Sequence, residues 1–154
     1  MISHGYDPVR AKTAPEILAA IDAQIEGRVR FYATQTKGAI SFRLDELDRE
    51  WDIERILASN ASAVALTGLT LGVTVNKKWL WLTGGVLAFL FQHSLQGWCL
   101  PLSLLRRRGV RTRSEIDREK FALKALRGDF ENIPLKAENN PLARAHNAML
   151  AVNV

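Results

Sequence analysis

Ile56–Leu105 reads ILASNASAVALTGLTLGVTV, then NKK, then WLWLTGGVLAFLFQHSLQGWCLPLSLL. Between Arg55 and Arg106 the only charges are Lys77 and Lys78. Asn76–Lys78 therefore separates two uncharged runs, Ile56–Val75 of 20 residues and Trp79–Leu105 of 27. A helix rises about 1.5 Å per residue, and about 20 residues cross a hydrocarbon core of roughly 30 Å. Both runs meet that length. So short a link makes the two helices antiparallel neighbours, and the stretch predicts a transmembrane helix hairpin. The competing expectation is a buried hairpin in a soluble domain, favoured by Ser59, Asn60, Ser62, Thr67, Thr70 and Thr74 in the first run. Helices apolar all round need a core to surround them. The other 104 residues read mostly as polar helix and loop, and would struggle to cover so much apolar surface.

The mean hydropathy is near zero, but it averages an apolar centre with charged ends. Residues 1–55 carry net −2, residues 56–105 carry +2 with no acids, and residues 106–154 carry +5. We read these as three segments: an N-terminal cytoplasmic helical segment, the hairpin, and a basic C-terminal cytoplasmic helical segment. Arg106, Arg107, Arg108, Arg111 and Arg113 cluster just after the second run. There they suit an anionic membrane surface better than a nucleic-acid groove. Cys99 is the only cysteine, which excludes an intramolecular disulfide and a cysteine-based zinc site. Met1–Arg10 is polar and does not read as a signal peptide, so the hairpin is expected to direct insertion.

Four helices are expected outside the hairpin. Thr13-Ala-Pro-Glu16 has capping-box spacing and predicts a helix to about Tyr32, with Ile17, Ile21, Ile25 and Val29 as one stripe. That stripe suits packing on its own domain or lying on the membrane surface. Thr34–Ser41 reads as a turn and Asp45–Arg55 as a helix with Leu44, Leu47 and Trp51 on one side. Thr112-Arg-Ser-Glu115 is a second capping box. Its helix should reach about Arg127 with Ile116, Leu123 and Leu126 inward and Gly128 near its end. A last short helix is expected after Asn140-Pro141, with Leu142, Ala145, Met149 and Leu150 as its apolar face. Trp51, Trp79, Trp81 and Trp98 fall near ends of the apolar runs, where an aromatic belt would place them.

Within the first run Gly68-Leu-Thr-Leu-Gly72 is a GxxxG, and Gly84 and Ala88 offer a matching small face on the second. Small residues let helix backbones approach closely in lipid. The faces could pack within the hairpin or form a homodimer seam. The second run holds an unusual polar set, Gln92, His93, Gln96 and Cys99. Such groups usually face protein or water. Interhelical hydrogen bonding is the expected role, and a ligand role for His93 toward haem or a chlorophyll-type pigment is the alternative.

Trp51–Phe130 also resembles the YgaP-type transmembrane domain, a family of small bacterial inner-membrane domains found alone or fused to a rhodanese. The residues that carry the resemblance are Asp52-Ile-Glu-Arg55 before the first run, Leu71-Gly72 at its end, and Trp79-Leu80 opening the second. Gly97-Trp98-Cys99 follows, then Pro101 and a Leu-Leu. The family usually has proline directly after the cysteine, and here Leu100 intervenes. The resemblance implies a helical hairpin with both ends cytoplasmic, and often a dimer. It covers about half the chain, and no sulfur-transfer role carries over, because Cys99 sits in an apolar helix and not in an anion-cradling loop.

Catalysis has little support in the sequence. There is no phosphate-binding glycine loop and no HExxH, and His4, His93 and His146 fall on unrelated segments. Glu46/Glu50 and Glu115/Glu119 stand at i,i+4 but read as solvated helix faces with basic neighbours. The expectation is an all-α, non-enzymatic scaffold or accessory protein of the bacterial inner membrane, without cofactor or metal. Its partners would be the lipid bilayer and a second copy or a larger membrane complex. A small transport or sulfur-handling protein using Cys99 and His93 is the first alternative, and a soluble helical binding module the second.

Overall fold

The computed structural model describes residues 7–97 and 99–131. Those residues are helical, with no strand: α1 Pro8–Ala11, α2 Pro15–Tyr32, α3 Lys37–Arg49, α4 Ile53–Thr74, α5 Leu80–Gln96, α6 Leu100–Arg107 and α7 Arg113–Arg127. The expected helix after Asn140, with Leu142, Ala145, Met149 and Leu150, lies outside the described residues, as do Trp98, His4 and His146. The chain divides into two compact units. One comprises Met1–Gln24 and Glu50–Ile116, the other Ile25–Arg49 and Asp117–Val154.

In the first unit, α4 starts where Asp52 stops the chain in an extended conformation and accepts the Arg55 N–H. Glu54 in the first turn offsets the positive end of the helix dipole. α4 ends at Thr74, and a single 3₁₀ turn, Lys77–Trp79, leads into α5. The Asn76 side chain caps that turn by accepting the Lys78 N–H. α4 and α5 then touch in opposite chain order. Gly72 lies under Leu80, Gly68 under Thr83, and Glu54 reaches His93.

The glycines of α4 make this approach possible. A Cβ at Gly72 would fall 2.5 Å from the Leu80 side chain, and one at Gly68 would fall 2.7 Å from the Thr83 hydroxyl. That hydroxyl donates to the Ala65 carbonyl at 3.1 Å. The partners of the glycines are thus Leu80 and Thr83 rather than the expected Gly84 and Ala88. Both of these are exposed, and a Cβ at Gly84 would meet nothing within 4 Å. The helical period explains the difference. Thr83, Val86, Leu90 and His93 recur at spacings of three and four and face α4, which puts Gly84 and Ala88 on the opposite side of α5.

The run Trp79–Leu105 is not one helix. Gly97 takes the left-handed conformation (φ 63°) and donates to the His93 carbonyl at 2.7 Å, closing α5. Cys99 is extended, and Pro101 opens α6. Gly97 also lies against Pro8, so close that a Cβ would sit 2.7 Å from the proline ring. Around this corner Val9, Ile53, Leu57, Cys99 and Leu102 form a buried cluster, with Leu105 and Val110 packed on it.

In the second unit the buried side chains are Ile25 of α2, Ile40, Leu44 and Leu47 of α3, and Leu123 of α7. α3 begins earlier than the sequence suggested. The Thr36 hydroxyl accepts the Ala39 N–H at 3.3 Å and starts the helix inside the expected turn region Thr34–Ser41. Trp51 lies in the link after α3, half exposed, with the Arg55 guanidinium 4.3 Å above its ring. α7 matches its expected range, and Gly128 follows it at φ 92°, but Leu126 is exposed rather than inward.

Gly72→Leu should force α4 and α5 apart and cost about 1–3 kcal/mol, the usual penalty for overpacking. Gly84→Ala, where a Cβ meets nothing, should not destabilise and should gain about 0.5–1 kcal/mol of helix propensity. Thermal unfolding in detergent measures both. Equal melting temperatures for wild type and Gly72→Leu would show that the contact contributes nothing.

Candidate functional site

Two places in the first unit concentrate polar chemistry among apolar neighbours. One is an ion-pair cluster around Glu115. The other is the polar set at the end of α5.

Glu115 owes its position to the capping box that opens α7. Thr112 N–H donates to its carboxylate at 2.9 Å, and the Thr112 hydroxyl accepts the Glu115 N–H at 3.4 Å. The carboxylate points inward, where Arg106 of α6 meets it with two hydrogen bonds of 2.7 Å each. Arg10 adds a third at 2.8 Å. Arg106 and Glu115 are only 2% and 1% exposed. Such a pair survives burial only when its remaining groups are satisfied. Arg106 also donates to the Thr13 hydroxyl and to the Val110 carbonyl, each at 3.0 Å. Asp22 takes the second arm of Arg10. Asp7 caps α1 through the Arg10 N–H and receives the Ser114 hydroxyl.

Burial by itself would raise the Glu115 carboxyl pKa. The Arg106 hydrogen bonds, the Thr112 N–H and the charges of Arg106 and Arg10 together outweigh it, and hold that pKa below the ordinary glutamate value. Asp7 behaves alike: burial pushes up, and the bonds from Ser114 and the Arg10 N–H win.

This cluster corrects two expectations. Arg106 and Arg111 are not membrane-surface cations. Arg106 is spent on Glu115, while buried Arg111 pairs with Glu50 and gives its carbonyl to the Ile53 N–H at 2.9 Å. Arg107, Arg108 and Arg113 are exposed. Nor are Glu115 and Glu119 solvated. In the second unit Glu119 is fully buried, held by Arg28 and Arg43, each at 3.0 Å. The arginines paired with them are the reason these acids can be buried. What the sequence does not reveal is that the partners come from positions as distant as Arg10, Arg28 and Arg43. Thr13 also differs from expectation. α2 starts at Pro15, and the Thr13 hydroxyl donates to the Val9 carbonyl instead of capping the helix.

Of the polar set on the second run, only His93 and Cys99 are buried; Gln92 is half-buried and Gln96 exposed. His93 Nε2 pairs with Glu54 at 2.9 Å, across 39 residues of chain, a pairing that no local pattern signals. Its Nδ1 is buried without a hydrogen bond. Leu57, Asn60, Val86, Phe89, His93 and Cys99 line a cavity of about 220 Å³, almost wholly apolar. Among the described residues no three His, Cys, Asp or Glu side chains gather as metal ligands would. The site holds a polar pair at the end of an apolar helix contact.

Replacing Glu115 by Gln leaves Arg106 buried without its counter-charge and should cost about 3–5 kcal/mol at neutral pH. The depressed carboxyl pKa values make the wild type acid-sensitive. The unfolded chain binds more protons than the folded one between the two pKa values. The stabilisation is therefore complete above the ordinary carboxylate range, about pH 4, and is lost as pH falls through the folded values. Melting temperature followed from neutral pH to pH 2 should show a steep acid limb in the wild type and a shallower one in Glu115→Gln. Parallel limbs would separate acid sensitivity from this residue.

Comparison with models of known families, with curated proteins and with solved structures finds no match to this chain.

Proposed function

We propose that this chain is an integral protein of a bacterial inner membrane, in which α4 and α5 cross the bilayer as an antiparallel hairpin. Its termini lie on the cytoplasmic side, and it serves as a non-enzymatic scaffold or accessory subunit. The observation that carries the reading is the outward face of the two helices. Leu66, Val73, Trp81, Phe91 and Leu95 are between 65% and 85% exposed. Only 17% of the most apolar 18-residue window in Lys37–Thr74, which falls within α4, is buried inside the protein. A helix at the centre of a soluble core would be covered. Apolar patches of this extent mark membrane or protein contact.

Length agrees. The 22 residues of α4 span about 33 Å and the 17 of α5 about 26 Å. Among the described residues, the stretch containing α4 is the one that meets a length-and-composition test for crossing a membrane. Three of the hydroxyls that counted against a span are satisfied within the helix. Thr67, Thr70 and Thr74 each donate to the carbonyl four residues back, at 2.7–2.9 Å.

Charge supports the orientation. Arg43, Arg49 and Arg55 precede the first helix. Arg106, Arg107, Arg108, Arg111, Arg113, Arg118 and Lys120 follow the second, against Lys77 and Lys78 at the turn. Positive residues near helix ends stay inside, while the two lysines can reach headgroups along their own stems. The resemblance to YgaP-type domains, carried by the motif residues quoted above, points the same way. Gly84 and Ala88, small and exposed, suit close packing with a second copy.

Membranes washed in alkaline carbonate should retain the protein and detergent should release it; release by carbonate alone overturns the bilayer reading. A reporter active only outside the cytoplasm, fused after Val154, should be silent, and a cytoplasmic reporter there should work.

Gly84→Leu should abolish a cross-linked dimer in membranes while leaving the melting temperature of the detergent-separated monomer unchanged. A dimer that persists in this variant would place the seam elsewhere.

A further inference from the structure

We infer that the cavity between the end of α1 and α6 binds the phosphate of an anionic phospholipid, an inference that rests on the bilayer reading above. The cavity holds about 170 Å³ and is lined by Lys12, Thr13, Ile17, Leu102, Ser103 and Arg107, together with the Arg106 stem; none of its lining residues is acidic. Arg106 is committed to Glu115, so its charge is already balanced. The charges left for a ligand are Lys12 and Arg107. The Arg107 guanidinium and the Ser103 hydroxyl make no hydrogen bond or ion pair among the described residues, and Arg107 is exposed. Lys12 spends one donor on the Gln96 carbonyl at 2.6 Å and keeps two. Two cations and a hydroxyl over an apolar floor of Ile17 and Leu102 suit an anionic group that carries an apolar body.

The hydrogen bond from Lys12 to Gln96 decides between a soluble phosphate and a lipid. It fixes the ammonium at the last residue of α5, where the exposed apolar side chains Phe91 and Leu95 end. A phosphate held there lets acyl chains run along a surface that is already apolar and uncovered. A soluble anion would leave that continuity unused. Cationic side chains at such a boundary attract anionic lipid by about 1 kcal/mol each, a factor of about five.

The test uses the full-length protein in a neutral detergent, with retained lipid read by native mass spectrometry. Phosphatidylglycerol is the probe and phosphatidylcholine the neutral-headgroup control. Wild type should retain phosphatidylglycerol about 25-fold more strongly than phosphatidylcholine, a factor of about five from each of the two cations. Arg107→Gln should remove about fivefold of that retention without changing the melting temperature, because Arg107 holds nothing else in place. Arg107→Lys and Lys12→Arg should keep most of it, and Arg108→Gln, outside the cavity, all of it. Equal retention of the two lipids, or undiminished retention by Arg107→Gln, overturns the inference. Displacement of the lipid by inorganic phosphate at matched concentration would assign the cavity to a soluble anion and overturn it equally. Protein that resists carbonate extraction yet retains no phosphatidylglycerol refutes this inference alone. Protein released by carbonate refutes the bilayer reading itself.

Discussion

The first unit is organised around a guanidinium that has no access to water. Arg106 is buried, and moving an unpaired charge from water into that environment costs several kcal/mol. The cost is offset only if the surrounding chain supplies partners in the right places. Glu115 supplies the charge, and Thr13 and Val110 supply two further acceptors. Four of the five N–H groups of the guanidinium are thereby accounted for. Each acceptor comes from a different part of the chain: the link between α1 and α2, the turn after α6, and the first turn of α7. One side chain therefore fixes the relative positions of segments that share little apolar contact. Arg10 extends the same network to Asp22 on α2.

α4 and α5 follow a different physics. Their contact uses close backbone approach at Gly68 and Gly72 and one interhelical hydrogen bond from Thr83. The large apolar side chains point away from that contact. In water this would be an inverted arrangement. In lipid it is the stable one, because side chains gain nothing by leaving the hydrocarbon and helices associate through packing of small residues. The threonines fit the same economy by turning their hydroxyls back onto their own helix. His93 and Glu54 close the open end of the pair, where polar groups can be paired with each other.

Gly97 links the two regimes. It ends the apolar helix in a left-handed turn and lies against Pro8, so the chain leaves α5 and enters α6 at a fixed corner. α6 then carries Arg106 to its partners. The basic residues after the second apolar run are thereby sorted. Arg106 and Arg111 turn inward to carboxylates, and Arg107 and Arg108 remain outside.

What the sequence determined by itself is what depends on local patterns. Helical class, the position of the link at Asn76–Lys78 and the start of α7 at its capping box all follow from neighbours a few residues apart. So does the burial of Ile21 and Ile25. α3 departs from its local pattern: Gly38 reads as a turn, but the Thr36 hydroxyl caps a helix that starts at Lys37 and tolerates that glycine. What only the tertiary structure decided is which side chains meet across long stretches of chain. Arg106 and Arg107 are adjacent and chemically identical, yet one is buried and one exposed. Helical rotation of about 100° per residue turns one toward Glu115 and the other away. Gly68 and Gly84 both looked like packing residues, and only the helix they face separates the used glycine from the unused one. Neither distinction is written in composition or spacing, because each depends on the direction of a side chain relative to a partner many residues away.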